Sequence, residues 1–428
     1  INSRETPNRT IEDLPDKTVA TLIYENNVNA YMAGKLEGYI TGGLIHMHNL
    51  NTIDGFCAKR KQFCDALKTF YETNTAFIDT MIESHANDDY WHQLGLVYDQ
   101  LRGLGVGYAD WKADNNVTNT VEMDVMSEVW WLNIMFESYD LEAILTPNST
   151  TIEYQDHCSA MVKVLPEGSD LYVAHNSWIM YDMMLRVHKQ YSFAFKSLAT
   201  GALIPGHSVA MSSYPGLIFS GDDYYVLSSG RVVQETTNNN YNKSLYSTVR
   251  PNQVVLEFAR NVVANRLATG GGQWSDIFGR YNSVTYNNQF MIVDYKLFTK
   301  GTPVHSLTDN SLWVCEQMPG TMTAADMTKV LRDTTYWGSY NVPYNETARA
   351  LIFHRDHNSV TDLNALYSLM RSNDFQHDFL SQCHQYHQEC QPGYAGQLAI
   401  AARYDLNSPT GPTQRFFISL FPGLLTPN

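Results

Sequence analysis

The sequence predicts an α+β fold in which helices and strands pack as layers. Apolar residues recur at helical spacing across residues 30–100, as at Phe63, Leu67 and Phe70. Strand-like runs begin near residue 159, and helices and strands then follow one another without the regular βαβ alternation of a parallel sheet. With 428 residues, of which 44% are hydrophobic, the chain is long and apolar enough for one large or two ordinary domains.

The segment after Cys158 predicts a β-hairpin. Residues 159–165 and 171–178 have strand-like composition, and the Pro-Glu-Gly-Ser-Asp segment between them is a strong turn signal. Four further strands are predicted at residues 217–220, 224–227, 289–293 and 311–316. An amphipathic helix is predicted at residues 254–268, with Asn252 as its N-cap and Gly270 as its stop.

The balance of charge narrows the classes of partner. The net charge is −15, which argues against nucleic acid or an anionic membrane surface as the main partner. If most of the 14 histidines were protonated near pH 5, they would offset most of that charge, as suits an acidic compartment. No stretch reaches the roughly 18 apolar residues needed to span a bilayer. No secretory signal stands at the start, so residue 1 is expected to be a processed end.

Glycosylation sequons and cysteine spacing both indicate the secretory route. Asn-x-Ser/Thr occurs at five positions, Asn8, Asn116, Asn148, Asn242 and Asn345. The short spacing of Cys57 with Cys64, and of Cys383 with Cys390, predicts two disulfides in an oxidising compartment.

Three other motifs are weaker indications of chemistry. The Gly-His-Ser-Val-Ala segment at 206–210 lacks the last glycine of a lipase elbow and no helix pattern follows it, so Ser208 is a weak candidate nucleophile. Three glycines at 270–272 lack a following Lys-Ser/Thr and favour a helix stop over a phosphate loop. The Cys-His-x-x-His-x-x-Cys segment at 383–390 could hold zinc, but a disulfide is favoured. No metal or cofactor is predicted.

Two cysteines remain outside the predicted disulfides. Cys315 lies in an apolar run and is predicted to be a buried small hydrophobe. Cys158 stands at the start of the hairpin, directly after a polar stretch. Centring the turn on Gly168 places Trp178 opposite Cys158, and strict alternation then points His175 to the other face from Trp178. A bulge or a shifted register would be needed to reconcile the two.

Several stretches of the sequence resemble the phospholipase B-like proteins. They are Cys-Ser-Ala at 158–160, Val-Ala-His-Asn-Ser-Trp at 173–178, Phe-Ser-Gly-Asp-Asp at 219–223, Glu-Thr-Thr at 235–237 and Ser-Tyr-Asn-Val-Pro at 339–343. The resemblance runs from about residue 20 to about residue 410 and is closest to the lysosomal branch of the family. Relatives carry additional residues between Asn29 and Ala30 and between Thr347 and Ala348.

This resemblance implies an N-terminal nucleophile hydrolase, built as a four-layer αββα sandwich with two central antiparallel sheets. It implies cleavage between His157 and Cys158, which would separate a helical segment, 1–157, from a nucleophile-bearing core, 158–428, that packs with it as one unit. The freed α-amine would be the base, because its reference pKa of about 7.7–8.0 lies near the thiol value of about 8.5. The further catalytic residues implied are His175, Thr237, Asn341 as oxyanion donor, and Arg349, with Trp178 lining the substrate site.

The function implied is hydrolysis of an acyl ester or amide, with phospholipid as one candidate substrate, in the lysosome lumen or outside the cell. A small acyl or lipid molecule is the expected partner, and a homo-oligomer is compatible with the sequence. The alternative is a non-catalytic lysosomal glycoprotein that binds a lipid or other ligand on the same fold. A serine lipase that uses Ser208 is a third hypothesis.

Overall fold

The computed structural model describes residues 17–54, 56–57, 60–118, 125–146, 158–179, 181–238, 240, 242–333, 336–338, 347–382, 394 and 396–401. Seven residues singled out from the sequence lie outside these ranges: Asn8, Asn148, His157, Asn341, Asn345, Cys383 and Cys390. Within the described part of the chain, no helix is both long enough and apolar enough to span a membrane.

Helices dominate the first third of the chain, and strands follow. The helices are α1 Lys17–Ile40, α2 Gly42–Thr52, α3 Lys61–Ser84, α4 Asp89–Asp114, α5 Val125–Leu145, α6 Glu257–Leu267, α7 Gly271–Phe278, α8 Thr328–Asp333, α9 Ala348–Asp356 and α10 Leu363–Met370. The strands are β1 Ser159–Val164, β2 Leu171–Asn176, β3 Val187–Ser192, β4 Ser208–Ser213, β5 Tyr224–Leu227, β6 Arg231–Thr237, β7 Asn288–Asp294, β8 Leu312–Met318, β9 Thr321–Asp326 and β10 Tyr336–Gly338.

The strands form two antiparallel sheets. The large sheet has the order β3-β4-β5-β6-β7-β8-β9, so each strand pairs with its neighbour in sequence. The small sheet has the order β10-β1-β2, which makes β1 its central strand. The small sheet is therefore complete only when residues 336–338 pair with residues 160–162.

The sheets and helices stack as four layers. One face of the small sheet, with Ala160 and Val162, packs against Met291 and Val293 of the large sheet. Its other face packs Met161 against α9 and α10. The outer face of the large sheet is covered by side chains of α6 and α7, whose Trp274 lies stacked beside Phe278. The predicted αββα sandwich is confirmed.

Helices α1 to α5 extend the helical layer on the α6 side of the sandwich. Buried aromatic and aliphatic side chains of α2 to α5 form one cluster with those of α6. Helices α1 and α4 approach backbone to backbone through glycines: a Cβ on Gly103 would lie 2.0 Å from the carbonyl oxygen of Tyr31, and one on Gly34 would lie 1.9 Å from that of Gln100. Only glycine allows this crossing. The bond between Asn29 and Ala30 lies within the unbroken helix α1.

The predicted strand at 217–220 is wrong, although its apolar residues are buried. The backbone N–H of Ile218 donates to Asn133 Oδ1 of α5 at 2.9 Å, and Asn133 Nδ2 donates to the Gly216 carbonyl at 2.8 Å. An asparagine side chain thus takes the place of a neighbouring strand. The other three predicted strands, the hairpin and the helices of residues 30–100 are confirmed, while β3, β4, β6, β9 and β10 were not predicted.

The helix predicted at 254–268 exists, but its predicted ends are wrong. It begins at Glu257 with Leu256 as N-cap, rather than with Asn252, and it ends at Leu267. Gly270 does not stop it; Gly270 is instead the N-cap of α7. The next glycines are required for another reason, because a Cβ on Gly271 would lie 2.6 Å from the Trp313 side chain.

Candidate functional site

Cys158 lies directly before β1, where the small sheet faces the large one. Its side chain is 5% exposed and takes no part in a disulfide. Because side chains alternate along a strand, Cys158 lies on the same side as Ala160, which packs toward the large sheet. The candidate nucleophile therefore faces the space between the two sheets.

The hairpin register differs by one residue from the prediction. Ala160 pairs with His175 and Ser159 with Asn176, so the register continues from Cys158 to Ser177 rather than to Trp178. The reason is the turn, which Leu165 N–H closes by donating to the Asp170 carbonyl, with four residues between them. His175 thus shares a face with Ala160, and the expected conflict does not arise.

His175 ties the small sheet to the large one. Its Nε2 donates to the Glu235 carbonyl oxygen of β6 at 2.7 Å. Burial lowers the pKa of His175 to about 4, although the bond to that carbonyl opposes the shift. The imidazole is therefore neutral near pH 7, with its proton on the nitrogen that faces Glu235.

Arg349 and Trp178 join Cys158 from the helical side. Arg349 Nη1 donates to the carbonyl oxygen of Cys158 and to Ser159 Oγ, the latter at 3.2 Å. The guanidinium lies 4.7 Å from the centre of the Trp178 ring, and Trp178 Nε1 donates to the Ile400 carbonyl. Burial lowers the pKa of Arg349 to about 10, while an ionised Cys158 thiol opposes that shift.

Other residues singled out from the sequence lie in strands, in the core or in a disulfide. Thr237 is the last residue of β6, is half-buried and pairs with Asn288 of β7. Ser208 is the first residue of strand β4. It does not lie in a strand-to-helix turn, which agrees with its incomplete elbow motif. Cys315 is a fully buried thiol in the core beneath α7, as predicted, and burial raises its pKa to about 12. Cys57 and Cys64 form the predicted disulfide.

Sequence reasoning missed a buried cluster of acidic side chains beside Cys158. Tyr286 Oη lies 2.7 Å from Asp223 Oδ2 and 3.3 Å from Glu235 Oε1. Burial, Asp223 and an ionised Cys158 together raise the pKa of Glu235 well above its usual range. Both carboxyls lie in motifs that carried the family resemblance, but nothing local in the sequence shows that they meet.

The neighbouring Asp222 has the opposite environment. Arg186 Nε donates to both of its carboxylate oxygens, at 2.9 and 3.0 Å, and the hydroxyls of Ser212 and Tyr214 donate to it as well. Burial alone would raise the pKa of Asp222, but Arg186 and these hydroxyls outweigh burial and lower it. Ser177 Oγ donates to the Asp222 carbonyl at 3.0 Å, which ties this loop to the end of β2.

Within the described part of the chain, no three His, Cys, Asp or Glu side chains are grouped so that they could hold a metal ion. The candidate zinc segment at 383–390 lies outside the described ranges. Of the sequon asparagines that are described, Asn116 and Asn242 are both exposed.

Comparison with known proteins agrees with the motifs. A family model described as Phospholipase B matches residues 17–348 and 344–418. The Homo sapiens protein named "Putative phospholipase B-like 2" is 41% identical over 420 residues, which cover 91% of this chain and 69% of that protein. The Caenorhabditis elegans protein named "Putative phospholipase B-like 1" is 35% identical over 452 residues, covering 94% and 76%. The Dictyostelium discoideum "Phospholipase B-like protein B" is 35% identical over 426 residues, covering 90% and 69%.

These matches span both the helical segment before Cys158 and the sandwich that follows it. The motifs at 158–160, 173–178, 219–223 and 235–237 all lie within them, around the space between the two sheets. The chain belongs to the phospholipase B family.

Proposed function

We propose that this chain is a hydrolase of acyl esters or amides whose nucleophile is Cys158, released as a chain terminus by cleavage after His157. The observation that carries the proposal is the placement of Cys158. It is a buried thiol directly before β1, the central strand of the small sheet, and Arg349 binds its carbonyl oxygen. A residue fixed in this way would hold its side chain and its α-amine in one geometry after cleavage.

The chemistry follows from the two groups on that residue. The α-amine takes the thiol proton, and the thiolate attacks the acyl carbonyl carbon to form a tetrahedral intermediate. Collapse of the intermediate breaks the acyl bond, and the α-ammonium returns its proton to the leaving alcohol or amine. Water, deprotonated by the same α-amine, then hydrolyses the acyl-thioester and restores the thiol.

The other site residues would orient this reaction. His175, neutral and bound to the Glu235 carbonyl, fixes the distance between the sheets at the site. Arg349 holds the Cys158 backbone against Trp178, whose ring would contact the substrate. Thr237 stands at the end of the strand that carries Glu235, and Asn341 is proposed as the oxyanion donor.

One observation favours a second candidate function. Cys158 is 5% exposed in the continuous chain, so a substrate could reach the thiol only after the chain around it opens. A chain that is never cut would then be a glycoprotein that binds a lipid or other ligand without turnover. For either function we propose the lysosome lumen or the extracellular space, because the chain has a disulfide and exposed sequon asparagines.

Intact-mass spectrometry and acyl hydrolysis, measured on one set of variants, test the proposal. We expect Cys158→Ala to remain a folded, uncut and inactive chain, because it has no nucleophile for either step. Cys158→Ser should be cut partly and be much less active, because a hydroxyl ionises poorly. Cys315→Ala, which removes a buried thiol outside the site, and Ser208→Ala should be processed and active.

Two results would contradict parts of the proposal. A Cys158→Ala chain that is cut but inactive would mean that another protease makes the cut, and only self-processing would be lost. A Cys158→Ala chain with normal acyl hydrolysis would overturn the function altogether. Intact, uncut wild-type chain with full activity would exclude the terminal α-amine as base.

A further inference from the structure

Asp223, Tyr286 and Glu235 form a buried cluster, here called the acid cluster, in which two carboxyls lie against one tyrosine hydroxyl. All three side chains are buried, and the two carboxyls hydrogen-bond to each other as well as to Tyr286 Oη. Two carboxyl groups can share a hydrogen bond only if one of them carries a proton. Two ionised carboxylates that meet in a buried site would repel each other strongly.

The backbone is distorted to build this cluster. Asp223 has φ +56° and Tyr286 has φ +50°, in the left-handed region that a bulky tyrosine rarely occupies. Each is held there by local bonds: Asp223 N–H donates to the Ser220 carbonyl, and Tyr286 N–H donates to Asp140 Oδ2 at 2.9 Å. Two separate loops therefore adopt unfavourable conformations and deliver side chains to the same point, which is typical of a functional site.

The acid cluster is connected to Cys158 through the two sheets. Cys158 lies on the face of β1 that carries Ala160; Ala160 pairs with His175; and His175 donates to the Glu235 backbone. The pKa of Glu235 is raised by burial, by Asp223 and by an ionised Cys158, and an ionised Cys158 also adds to the raised pKa of Tyr286. Such coupling is reciprocal, so negative charge on the acid cluster must oppose ionisation of the thiol.

Other charged groups face the cluster but do not neutralise it. Glu257 of α6 adds negative charge toward Glu235 only when it ionises, and Arg260 interacts with Glu257 and Glu137. Asn288 of β7, oriented with its amide nitrogen toward Glu235, donates to Glu235 Oε2 at 3.2 Å. Asp222 is already bound by Arg186. On the helical side of Cys158, the Arg349 guanidinium binds the Cys158 carbonyl and favours the thiolate, so the thiol lies between a positive group and the acid cluster.

We propose that the acid cluster keeps one shared proton and one negative charge beside Cys158, and that this charge sets how readily the Cys158 thiol ionises. In the continuous chain the charge makes the thiolate harder to form. In a cut chain the new α-ammonium group meets the same charge and offsets it, so the thiolate forms more easily; this second step rests on the proposed function. Asp223 and Glu235 are thus positioning residues that link chain cleavage to nucleophile activation.

Carbon-13 NMR of protein labelled at cysteine Cβ tests the proposal, because the Cβ shift reports thiol ionisation without requiring reagent access. The Cys158 signal is assigned with Cys158→Ser and titrated in the full chain, with its cut or uncut form identified by mass. We expect Asp223→Asn/Glu235→Gln, which removes the charge but keeps the shapes, to lower the Cys158 titration midpoint by about one pH unit. That corresponds to about tenfold more thiolate below the midpoint.

Glu137→Gln is the matched control. It neutralises an equally buried carboxyl that bonds to Glu257 N–H and Thr285 instead of to the acid cluster, and it should leave the Cys158 midpoint unchanged. If the double variant does not fold, Glu235→Gln and Asp223→Asn are titrated singly, and at least one should lower the midpoint. Unchanged midpoints in the folded variants would overturn the proposal. This titration needs no substrate, so it is independent of whether Cys158 proves to be the nucleophile.

Discussion

Arg349 donates a hydrogen bond to the carbonyl oxygen of Cys158, although the two residues are 191 positions apart in the sequence. Arg349 stands in the first turn of α9, a helix capped by Thr347, whose hydroxyl accepts from the Ala350 N–H at 3.2 Å. The start of α9 thereby fixes the start of β1.

The first prediction concerns this contact. Arg349→Lys keeps the positive charge, but a lysine cannot bind the Cys158 carbonyl and Ser159 while also lying flat on the Trp178 ring. We expect a loss of about 2–4 kcal/mol in the free energy of unfolding, because buried hydrogen bonds to a charged group are lost. Denaturant titration measures it, and cleavage before Cys158 should also slow.

Arg355→Lys is the matched control on the same helix. Arg355 is partly exposed and binds Asp356 and Asp378 at the surface, where such pairs contribute about 0–1 kcal/mol. Equal losses for the two variants would show that Arg349 has no special role in holding Cys158.

The second prediction is that the protein becomes less stable as the pH rises from 6.5 to 8. Burial raises the pKa of Glu137 from 4.5 to about 7 and that of Glu257 from 4.5 to about 8. In this range the unfolded chain has released protons that the native state still holds, so stability is lost as these groups ionise. Thermal denaturation at several pH values measures the effect, and Glu257→Gln should weaken it, whereas Glu72→Gln on the exposed face of α3 should not.

Histidines act in the opposite direction at lower pH. Burial lowers the pKa of His48, His92 and His175 to about 4, whereas in the unfolded chain each titrates near 6.5. Their contribution to stability is lost as the pH falls from 6.5 through 4. We therefore expect maximal stability between about pH 5 and 6.5, and a maximum at pH 8 would contradict the buried protonated carboxyls.

The third prediction concerns the crossing of α1 and α4. Gly103→Ala would place a Cβ 2.0 Å from the Tyr31 carbonyl oxygen, and neither backbone can move without separating the helices. We expect a loss of more than about 2 kcal/mol in unfolding free energy. Gly270→Ala is the control, because a Cβ there meets no atom within 4 Å and the backbone is extended. It should change stability by less than about 1 kcal/mol.

The fourth prediction concerns the disulfide between Cys57 and Cys64. It joins two residues seven positions apart and ties the first turn of α3 to the chain before it, so Cys57→Ser/Cys64→Ser should reduce the free energy of unfolding by about 2 kcal/mol. Adding reductant should lower the melting temperature of the wild type and leave that of the double variant unchanged. Non-reducing peptide mapping should also pair Cys383 with Cys390, and a disulfide that includes Cys158 would contradict its proposed role.

Local signals in the sequence predict the elements well, but they do not predict which residues meet at the site. The hairpin after Cys158 follows from alternation and a turn cluster, and only its register was wrong by one residue, because the closing bond of the turn is not visible in composition. Gly270 was assigned to the wrong helix end because α7 begins directly after it, and the two glycines that follow are required by Trp313, about 40 residues later. The acid cluster brings together residues 223, 235 and 286 through backbone conformations that the sequence does not indicate.

The strand order also constrains when a competent site can exist during folding. The large sheet joins only strands adjacent in sequence, so it can form as soon as residues 187–326 have been synthesised. The small sheet must wait for β10, and the contact of Arg349 with Cys158 forms later still. A self-cleaving bond before Cys158 would therefore stay unreactive on the nascent chain, because its supporting residues emerge from the ribosome almost two hundred residues after it.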